Sequence, residues 1–275
     1  MRREFASAAA SYDEAAVLAR EVGRRMAERL DYVRLAPARL ADIGCATGDG
    51  IRELRRRYPR ALPLAIDFAR PMLEIARGRS SWLERWRGLA VAPVNADVRA
   101  LPLAGGSLQL IWSNLMLHWL DDPLPAFREL HRVLDVGGLV TFSLLGPDTL
   151  KELRLAATAI GMDMPVRRFL DMHDVGDLLV AAGFADPVMD MEMFTLTYAS
   201  PRGLLRDQRR LGVRDGLFLR RGWRDWRRLL RAYAVQRREG RLPASFEVVY
   251  GHAWKAAPRA AADGRSIVRF EPRRR

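Results

Sequence analysis

The segment Asp42-Ile-Gly44-Cys-Ala46-Thr-Gly48 joins an apolar run to an amphipathic one. Residues 39–44 have the pattern of a short strand that enters a glycine turn. Residues 49–58 have the pattern of a helix that stops before a proline. A glycine-rich turn between a strand and a helix lets a ligand approach the backbone closely. We therefore predict a ligand site at the carboxyl end of this first strand.

Strands and helices alternate on both sides of this segment, with a glycine pair at 137–138 predicted as a turn. Further strands are predicted at residues 62–67, 89–94, 108–113, 139–144, 188–196 and 246–254. Helices are predicted at residues 14–31, 49–58, 71–79, 125–134, 148–159, 175–182 and 200–240. This order predicts an α/β, Rossmann-like fold. Its sheet has seven mostly parallel strands, helices cover both faces, and a basic helical insertion precedes the last strand.

Two further carboxylates follow strands of the predicted sheet. Asp67 ends the second strand, 25 residues after Asp42, where an acidic side chain can bind both hydroxyls of a ribose. Asp97 follows the third strand, where a carboxylate can accept a hydrogen bond from an adenine amino group. The dinucleotide motif G-x-G-x-x-G is absent. These positions predict a nucleoside-bearing cofactor other than a dinucleotide.

The composition excludes several classes of protein. A length of 275 residues with 49% hydrophobic residues is typical of a globular chain and excludes a largely disordered one. The single cysteine, Cys45, excludes a disulfide framework and a cysteine-rich zinc site. No apolar run reaches the roughly 20 residues that span a bilayer, and the N-terminus lacks the pattern of a signal peptide. We predict a cytoplasmic protein with no membrane partner.

The positive charge is concentrated in one region. The chain has 46 basic and 33 acidic residues, a net charge of +13, and residues 201–241 hold 14 basic and 4 acidic ones. An arginine-rich genome explains a basic total but not its position. The concentration indicates a surface for an acidic partner, which the charge alone leaves open as nucleic acid, an anionic membrane or an acidic protein.

The turn and the carboxylates resemble the class I S-adenosylmethionine-dependent methyltransferases. Their first motif, Asp/Glu-x-Gly-x-Gly-x-Gly, is matched at Asp42, Gly44 and Gly48, whereas Ala46 departs from it. The resemblance covers residues 35–145 and implies S-adenosylmethionine as the cofactor, with no metal. The implied cofactor-binding residues are Asp42, Gly44, Cys45, Gly48, Asp67, Phe68, Asp97, Val98, Asn114 and Leu115.

A narrower resemblance covers nearly the whole chain. Five blocks in order are similar to the malonyl-[acyl-carrier protein] O-methyltransferases of biotin synthesis. They are Phe5-x-x-Ala8-Ala9-x-x-Tyr12-Asp13-x-x-Ala16, Trp112-Ser-Asn-Leu-Met-Leu-His-Trp119, Gly146-Pro-Asp-Thr-Leu-Lys-Glu-Leu153, Asp207-Gln-Arg-Arg-Leu-Gly-Val-Arg214 and the block 240–254. The resemblance implies methyl transfer to the free carboxylate of a malonyl thioester, with acyl-carrier protein as partner.

The implied reaction needs little acid–base chemistry. A malonyl carboxylate is already ionised at neutral pH, so it attacks a sulfonium methyl group without a general base. An arginine fork suits that carboxylate, and the resemblance favours Arg209, with Tyr12 as the second catalytic candidate. Phe5, His118 and Trp119 are further substrate-binding candidates. Trp223, Trp226 and Tyr233 are predicted to pack in the core of the insertion.

The chain divides into five predicted segments. They are a helical cap at 1–35, a cofactor-binding core at 36–199, a basic helical lid at 200–243, the last core strand at 244–256 and a flexible basic tail at 257–275. Outer arginines of the lid are predicted to dock the acidic carrier: Arg220, Arg221, Arg227, Arg228, Arg237 and Arg238. Two alternatives stay open, a respiratory-complex assembly protein that hydroxylates a protein arginine and a nucleic-acid-binding protein.

Overall fold

The computed structural model describes residues 2–80, 82, 86, 90–219 and 222–257. Its sheet has seven strands in the order β3-β2-β1-β4-β5-β7-β6. The strands are β1 (Arg39–Ile43), β2 (Leu62–Asp67), β3 (Ala92–Asn95), β4 (Leu108–Ser113), β5 (Leu134–Leu145), β6 (Ala185–Tyr198) and β7 (Leu242–Trp254). The first five strands pair in parallel, and β7 is antiparallel to both of its neighbours. The predicted α/β fold with a mostly parallel sheet is confirmed.

Helices precede the sheet, connect its strands and form the insertion. They are α1 (Arg2–Ala8), α2 (Tyr12–Ala15), α3 (Val17–Arg29), α4 (Asp49–Arg57), α5 (Arg70–Gly78), α6 (Leu124–Val133), α7 (Lys151–Ala159), α8 (Met172–Ala181), α9 (Pro201–Arg210), α10 (Arg214–Leu217) and α11 (Trp223–Ala234). Short 3-10 turns span Leu30–Tyr32 and Leu117–Trp119. The parallel strands need these crossovers because a tight turn cannot join them.

Alternate residues of the central strands enter two separate cores. Leu40 of β1 lies in the core that also holds Met26 of α3, whereas Ala41 lies in the core with Phe127 of α6. Side chains of a strand point to opposite faces with a period of two, so both faces of β1 bury apolar groups. This double burial fixes the register of the strand and therefore the position of the turn that follows it.

The N-terminal cap and the basic insertion close over one edge of the sheet. The Ser11 hydroxyl donates a hydrogen bond to the Arg210 carbonyl at 3.2 Å, and Arg210 pairs with Glu14 at 3.1 Å. Gly212, between α9 and α10, lies so close to α1 that a Cβ there would be 2.9 Å from the Glu4 carbonyl oxygen. Two segments distant in sequence thus form one cover.

Several element boundaries differ from the prediction. The helix expected at 14–31 is interrupted at Ala16, and the insertion forms three helices instead of one. The glycine pair 137–138 lies inside β5, because the Gly137 amide donates to the Lys255 carbonyl at 2.8 Å in place of turning the chain. Trp223, expected in the core, is 69% exposed. The tail from residue 258, Arg220 and Arg221 lie outside the described residues.

Candidate active site

A cavity of ≈ 260 Å³ opens at the carboxyl edge of the parallel strands. The turn after β1, the end of β2 and the loops after β3 and β4 contribute to it because these strands run in parallel. The predicted cofactor residues that line it are Gly44, Asp67, Phe68, Asp97, Val98, Asn114 and Leu115. Asp42 and Cys45 line a small adjoining recess. Gly48 lies outside the lining of both.

The Asp67 carboxylate is held in place by the backbone. Its two oxygens accept hydrogen bonds from the Ala46 amide at 3.0 Å and the Ala69 amide at 2.8 Å. Burial raises the pKa of Asp67, and these amide hydrogen bonds oppose the rise. The result is a fixed acceptor at the end of β2, where a ribose diol needs one.

The turn after β1 has an unusual backbone. Gly44 and Gly48 have φ values of +75° and +93°, and Ala46 between them has φ of +45°. A Cβ on Gly44 would overlap Met116, at 2.3 Å from its Cγ, and one on Gly48 would be 3.0 Å from the Ala76 Cβ. Gly48 is therefore explained by close packing of α4 on α5, and Gly44 by its close packing on Met116, which also lines the cavity.

Asp42 is a buried acid behind this turn. Burial, reinforced by the charge of Asp67, raises the pKa of Asp42 to about 8. A Cβ on Gly50 would lie 2.6 Å from the Asp42 carboxylate, so α4 begins directly against this side chain. Asp42 thus carries a proton at neutral pH and supports the turn from behind.

Asp97 and Asn114 already have protein partners. Asp97 pairs with Arg99 at 2.7 Å, and the Arg99 guanidinium lowers the pKa of this carboxyl. Asn114 donates to the Ala19 carbonyl at 2.7 Å and accepts from the Ser143 hydroxyl at 2.7 Å. Asn114 therefore fastens α3 to the edge of the sheet while it lines the cavity.

A second cavity of ≈ 80 Å³ lies beneath α9 and α10. Four side chains line both cavities, namely Phe5, Tyr12, Leu115 and Trp119. The smaller cavity is also lined by His118, Tyr198, Asp207 and Gln208. Its lining is largely apolar with a few polar residues, which is typical of a pocket for a small ligand group.

His118 lines this cavity and is buried. Its Nδ1 accepts a hydrogen bond from the Leu145 amide at 3.3 Å, so in the neutral ring the proton lies on Nε2. Burial, with a contribution from Arg167, lowers the pKa of His118 to about 3. The buried Nε2 has no hydrogen-bond partner among the described residues. His118 is thus a neutral, buried ring in the wall of this cavity, with an N–H that no described residue accepts.

Phe5 and Tyr12 form the partition between the two cavities. The Phe5 ring contacts Phe68 and Trp119 edge-on, with centroids 5.8 and 6.3 Å away. Burial, reinforced by the charge of Asp67, raises the pKa of Tyr12 above its usual value, so its hydroxyl stays a donor at physiological pH. The cap thereby places one apolar ring and one hydroxyl where the cavities meet.

Comparison with known proteins identifies the family. Residues 41–142 match the family model described as a methyltransferase domain. The malonyl-[acyl-carrier protein] O-methyltransferase of Gallionella capsiferriformans (strain ES-2) is 51% identical over 277 residues, which cover 98% of this chain and 94% of that protein. The chain belongs to the malonyl-[acyl-carrier protein] O-methyltransferase family. The family member of Laribacter hongkongensis (strain HLHK9) is 49% identical, with coverages of 99% and 95%.

Solved structures show the same fold. The YcgJ protein of Bacillus subtilis matches with a TM-score of 0.58 and 14% identity, covering 86% of this chain and 99% of that one. The Haemonchus contortus phosphoethanolamine N-methyltransferase 2 in complex with S-adenosyl-L-methionine has a TM-score of 0.51 and 15% identity, with coverages of 86% and 52%. The predicted methyltransferase class is confirmed, and membership of the malonyl-[acyl-carrier protein] family favours this interpretation over both alternatives.

Arg209 lies away from the pocket that this O-methyltransferase forms. The Arg209 side chain is exposed on α9, whereas the adjacent Gln208 is buried and lines the smaller cavity. One residue turns a helix by about 100°, so the two neighbours face different directions. A carboxylate clamp at Arg209 stays a prediction from sequence that this placement does not support.

Three polar residues of the pocket were not predicted from the sequence as site residues. Tyr198, Asp207 and Gln208 line it together, and burial, reinforced by Asp207, raises the pKa of the Tyr198 hydroxyl. A signal for Gln208 was present, because it is an uncharged residue within an arginine-rich amphipathic helix.

No helix in the described part of the chain is long and apolar enough to cross a membrane. The same residues contain no cluster of three or more metal-ligating side chains.

Proposed function

We propose that this methyltransferase transfers the methyl group of S-adenosylmethionine to the free carboxylate of a malonyl thioester on acyl-carrier protein, a step of biotin synthesis. The observation that carries this proposal is the meeting of the two cavities at Phe5, Tyr12, Leu115 and Trp119. One cavity has the acidic edge that suits a nucleoside. The other is a small, largely apolar pocket whose lining includes the neutral side chains of Tyr12, His118 and Gln208, together with Asp207, which is hydrogen-bonded to Tyr198. The names of the relatives support the same substrate.

The larger cavity suits the cofactor. Asp67 presents a fixed carboxylate for the ribose, and Gly44, which packs directly against Met116, lines the same cavity. Phe68, Asp97 and Val98 form the side where the base would lie. When bound, S-adenosylmethionine supplies an electrophilic methyl group on a sulfonium centre.

The smaller cavity suits a carboxylate that needs holding but no deprotonation. The ionised malonyl group is itself the nucleophile, so the residues around it act as donors and position it. The His118 Nε2–H and the Tyr12 hydroxyl are the donors that we assign to its oxygens, with the Gln208 amide as a third. Neutral donors hold a carboxylate without forming an ion pair that methylation must break.

The cap keeps water away from the reacting groups. Phe5, Trp119 and Leu115 enclose the junction of the two cavities with apolar surface. Hydrogen bonds to charged groups are stronger when water is excluded, and unproductive hydrolysis is suppressed. The cap and α9 therefore serve the reaction by closing over it.

The direct test incubates the full chain with labelled S-adenosylmethionine and malonyl-acyl-carrier protein. Mass spectrometry should find one methyl group added to the malonyl unit, present as an ester that mild base removes. Unmodified carrier together with hydroxylated arginine in a test protein would support the assembly-protein alternative instead. A carrier that bears acetyl in place of malonyl is the control, because it lacks the free carboxylate.

The role of His118 is tested by His118→Asn. Asparagine can still accept the hydrogen bond from the Leu145 amide but cannot place a donor at the Nε2 position. We expect kcat to fall about 10- to 100-fold, the loss of one hydrogen bond to a charged group, with cofactor affinity retained. Arg209→Ala is the comparison and should keep most of the activity, because Arg209 lies outside the pocket. A larger loss of activity in Arg209→Ala than in His118→Asn would mean that Arg209 binds the substrate carboxylate, as predicted from the sequence.

A further inference from the structure

We infer that a groove on the outer side of α9, α10 and α11 docks the acyl-carrier protein, an inference that rests on the proposed function. The groove has a volume of ≈ 890 Å³. Its apolar lining includes Leu205, Phe218, Leu219, Trp223, Trp226 and Leu230. Its charged lining is Arg202, Arg214, Arg227 and Asp215. We call this surface the outer groove.

Large apolar side chains are left exposed in the outer groove. Trp223 is 69% and Leu219 is 48% exposed, although both flank a well-packed floor. That floor is formed by Phe218 and Trp226, whose rings meet edge-on with centroids 5.4 Å apart. Single exposed apolar side chains are common on protein surfaces, but a contiguous exposed apolar surface with a polar rim marks an interaction site. The aromatic residues here are the type that anchor protein interfaces.

The rim of the outer groove selects an acidic partner. Arg202 and Arg227 form no ion pair in the part of the chain that the structure describes, and the Arg227 guanidinium lies 5.1 Å from the Trp223 ring centroid. Arg214 is held by Asp215 at 2.7 Å. Arginine forks bind carboxylates in a bidentate manner, and Arg227 lies within cation–π distance of the Trp223 indole. The surrounding region 201–241, with 14 basic and 4 acidic residues, extends the positive field.

The position of the groove favours a carrier protein over nucleic acid. The same helices that form it also form the wall of the smaller cavity. Val213 and Leu217 line that cavity, whereas Arg214 and Phe218 line the groove. A partner in the groove is thus separated from the substrate pocket by one layer of helix, a distance that a flexible thioester arm must cross. Nucleic acid has no such reason to bind there.

The test uses two variants that remove different parts of the outer groove. Arg202→Glu with Arg227→Glu reverses the rim charge, and Trp223→Ser removes the exposed indole. The control for charge is Arg60→Glu with Arg128→Glu, two exposed arginines on other elements. The control for the aromatic loss is Tyr32→Ser, which removes a side chain that is 92% exposed. Thermal unfolding of each variant verifies its folding.

Activity is measured on malonyl-acyl-carrier protein and on malonyl N-acetylcysteamine, a small thioester without a carrier. We expect each groove variant to raise KM for the carrier substrate about tenfold, whereas kcat/KM for the small thioester stays within about twofold of wild type. Both controls should behave as wild type on both substrates. Equal losses on the two substrates, or no change on the carrier, would overturn the inference.

The failure of the proposed function is distinguishable from the failure of the docking site. If the wild-type chain methylates neither thioester, the proposed function is wrong, and calorimetric titration with malonyl-acyl-carrier protein then decides the docking site. Binding by wild type and the controls, lost in both groove variants, supports the site. Absence of binding overturns it. Binding of duplex DNA is measured at two salt concentrations. If the wild-type chain and the controls bind DNA in a salt-sensitive way, the groove variants do not, and the carrier kinetics are unchanged, the outer groove binds nucleic acid. That result also overturns the inference.

Discussion

Asp67 has a side chain that the backbone holds in place in the larger cavity. Amides from two different loops fix its oxygens, at 3.0 and 2.8 Å, before any ligand is present. Asp67→Ala should weaken S-adenosylhomocysteine binding about 10- to 100-fold, the range for one or two hydrogen bonds to a charged group. Calorimetric titration measures the change. Asp177→Ala, at an exposed position on α8, is the control and should bind normally.

The buried carboxyl of Asp42 should make the free energy of unfolding depend on pH. Because burial raises the pKa of Asp42 to about 8, the folded protein binds a proton here that the unfolded chain has released. The free energy of unfolding should therefore fall as the pH rises from about 4 to about 8, between the unfolded and the folded pKa, and the raised pKa of Asp67 acts in the same direction. Asp42→Asn, which carries no charge, should show a flatter dependence in urea unfolding. Parallel pH profiles for the two proteins would contradict the burial argument.

The sequence was informative about residues whose role depends on strand order. Gly44 and Asp67 could be placed because they follow strands, and the carboxyl ends of parallel strands meet at one edge. Gln208 and Arg209 could not be separated in this way. Which of them faces the pocket depends on the rotation of α9, and that rotation is set by packing against α1 and α2. Long-range contact, not local pattern, decides this part of the site.

At the scale of elements, α1 packs closely against the turn between α9 and α10. Gly212 has φ of +72°, and a Cβ there would lie 3.0 Å from both the Ala8 Cβ and the Phe5 Cα. Phe5 is the ring that separates the two cavities. The close approach at Gly212 thus sets the position of a residue that we assign to the site, although Gly212 itself touches neither cavity.

Gly212→Ala should loosen this contact. Gly240 is a matched control, because it has φ of +77° with nothing within 4 Å of a Cβ. Both substitutions incur the left-handed backbone strain of about 1–2 kcal/mol, but only Gly212→Ala adds a clash. We expect Gly212→Ala to unfold at a lower temperature than Gly240→Ala and to exchange amide hydrogens faster in residues 2–8. Equal effects of the two would show that the contact is unimportant.

Some helix and strand boundaries are set by tertiary contacts and not by the local sequence pattern. The helix predicted at residues 14–31 breaks at Ala16, between α2 and α3, with φ of −77° and ψ of 27°. Gly137 continues β5 because the end of β7 offers a carbonyl to pair with. Neither event has a local sequence signal, whereas the helices that start after Gly48 and after Ala69 have clear ones in glycine and proline.

At the scale of the molecule, the charge and the fold are arranged around the same edge. The strand order is that of the methyltransferase fold, and the seven-stranded prediction holds because the alternation of strands and helices extends over the whole chain. The basic insertion closes one side of the substrate pocket and carries most of the excess positive charge. We therefore expect the basic insertion to take part both in attracting the carrier protein and in binding its malonyl group.

This arrangement predicts how ionic strength acts on the reaction. Exposed charges attract an acidic carrier over long range, and salt screens them with a Debye length of about 8 Å at physiological strength. Raising the salt from about 50 to about 300 mM should lower kcat/KM for malonyl-acyl-carrier protein about tenfold. It should change kcat/KM for malonyl N-acetylcysteamine far less, since a small thioester gains little from steering. Both substrates carry the same malonyl carboxylate, so the difference between the two salt profiles isolates the carrier. Parallel profiles would mean that the net charge of +13 plays no part in delivery and reflects an arginine-rich genome.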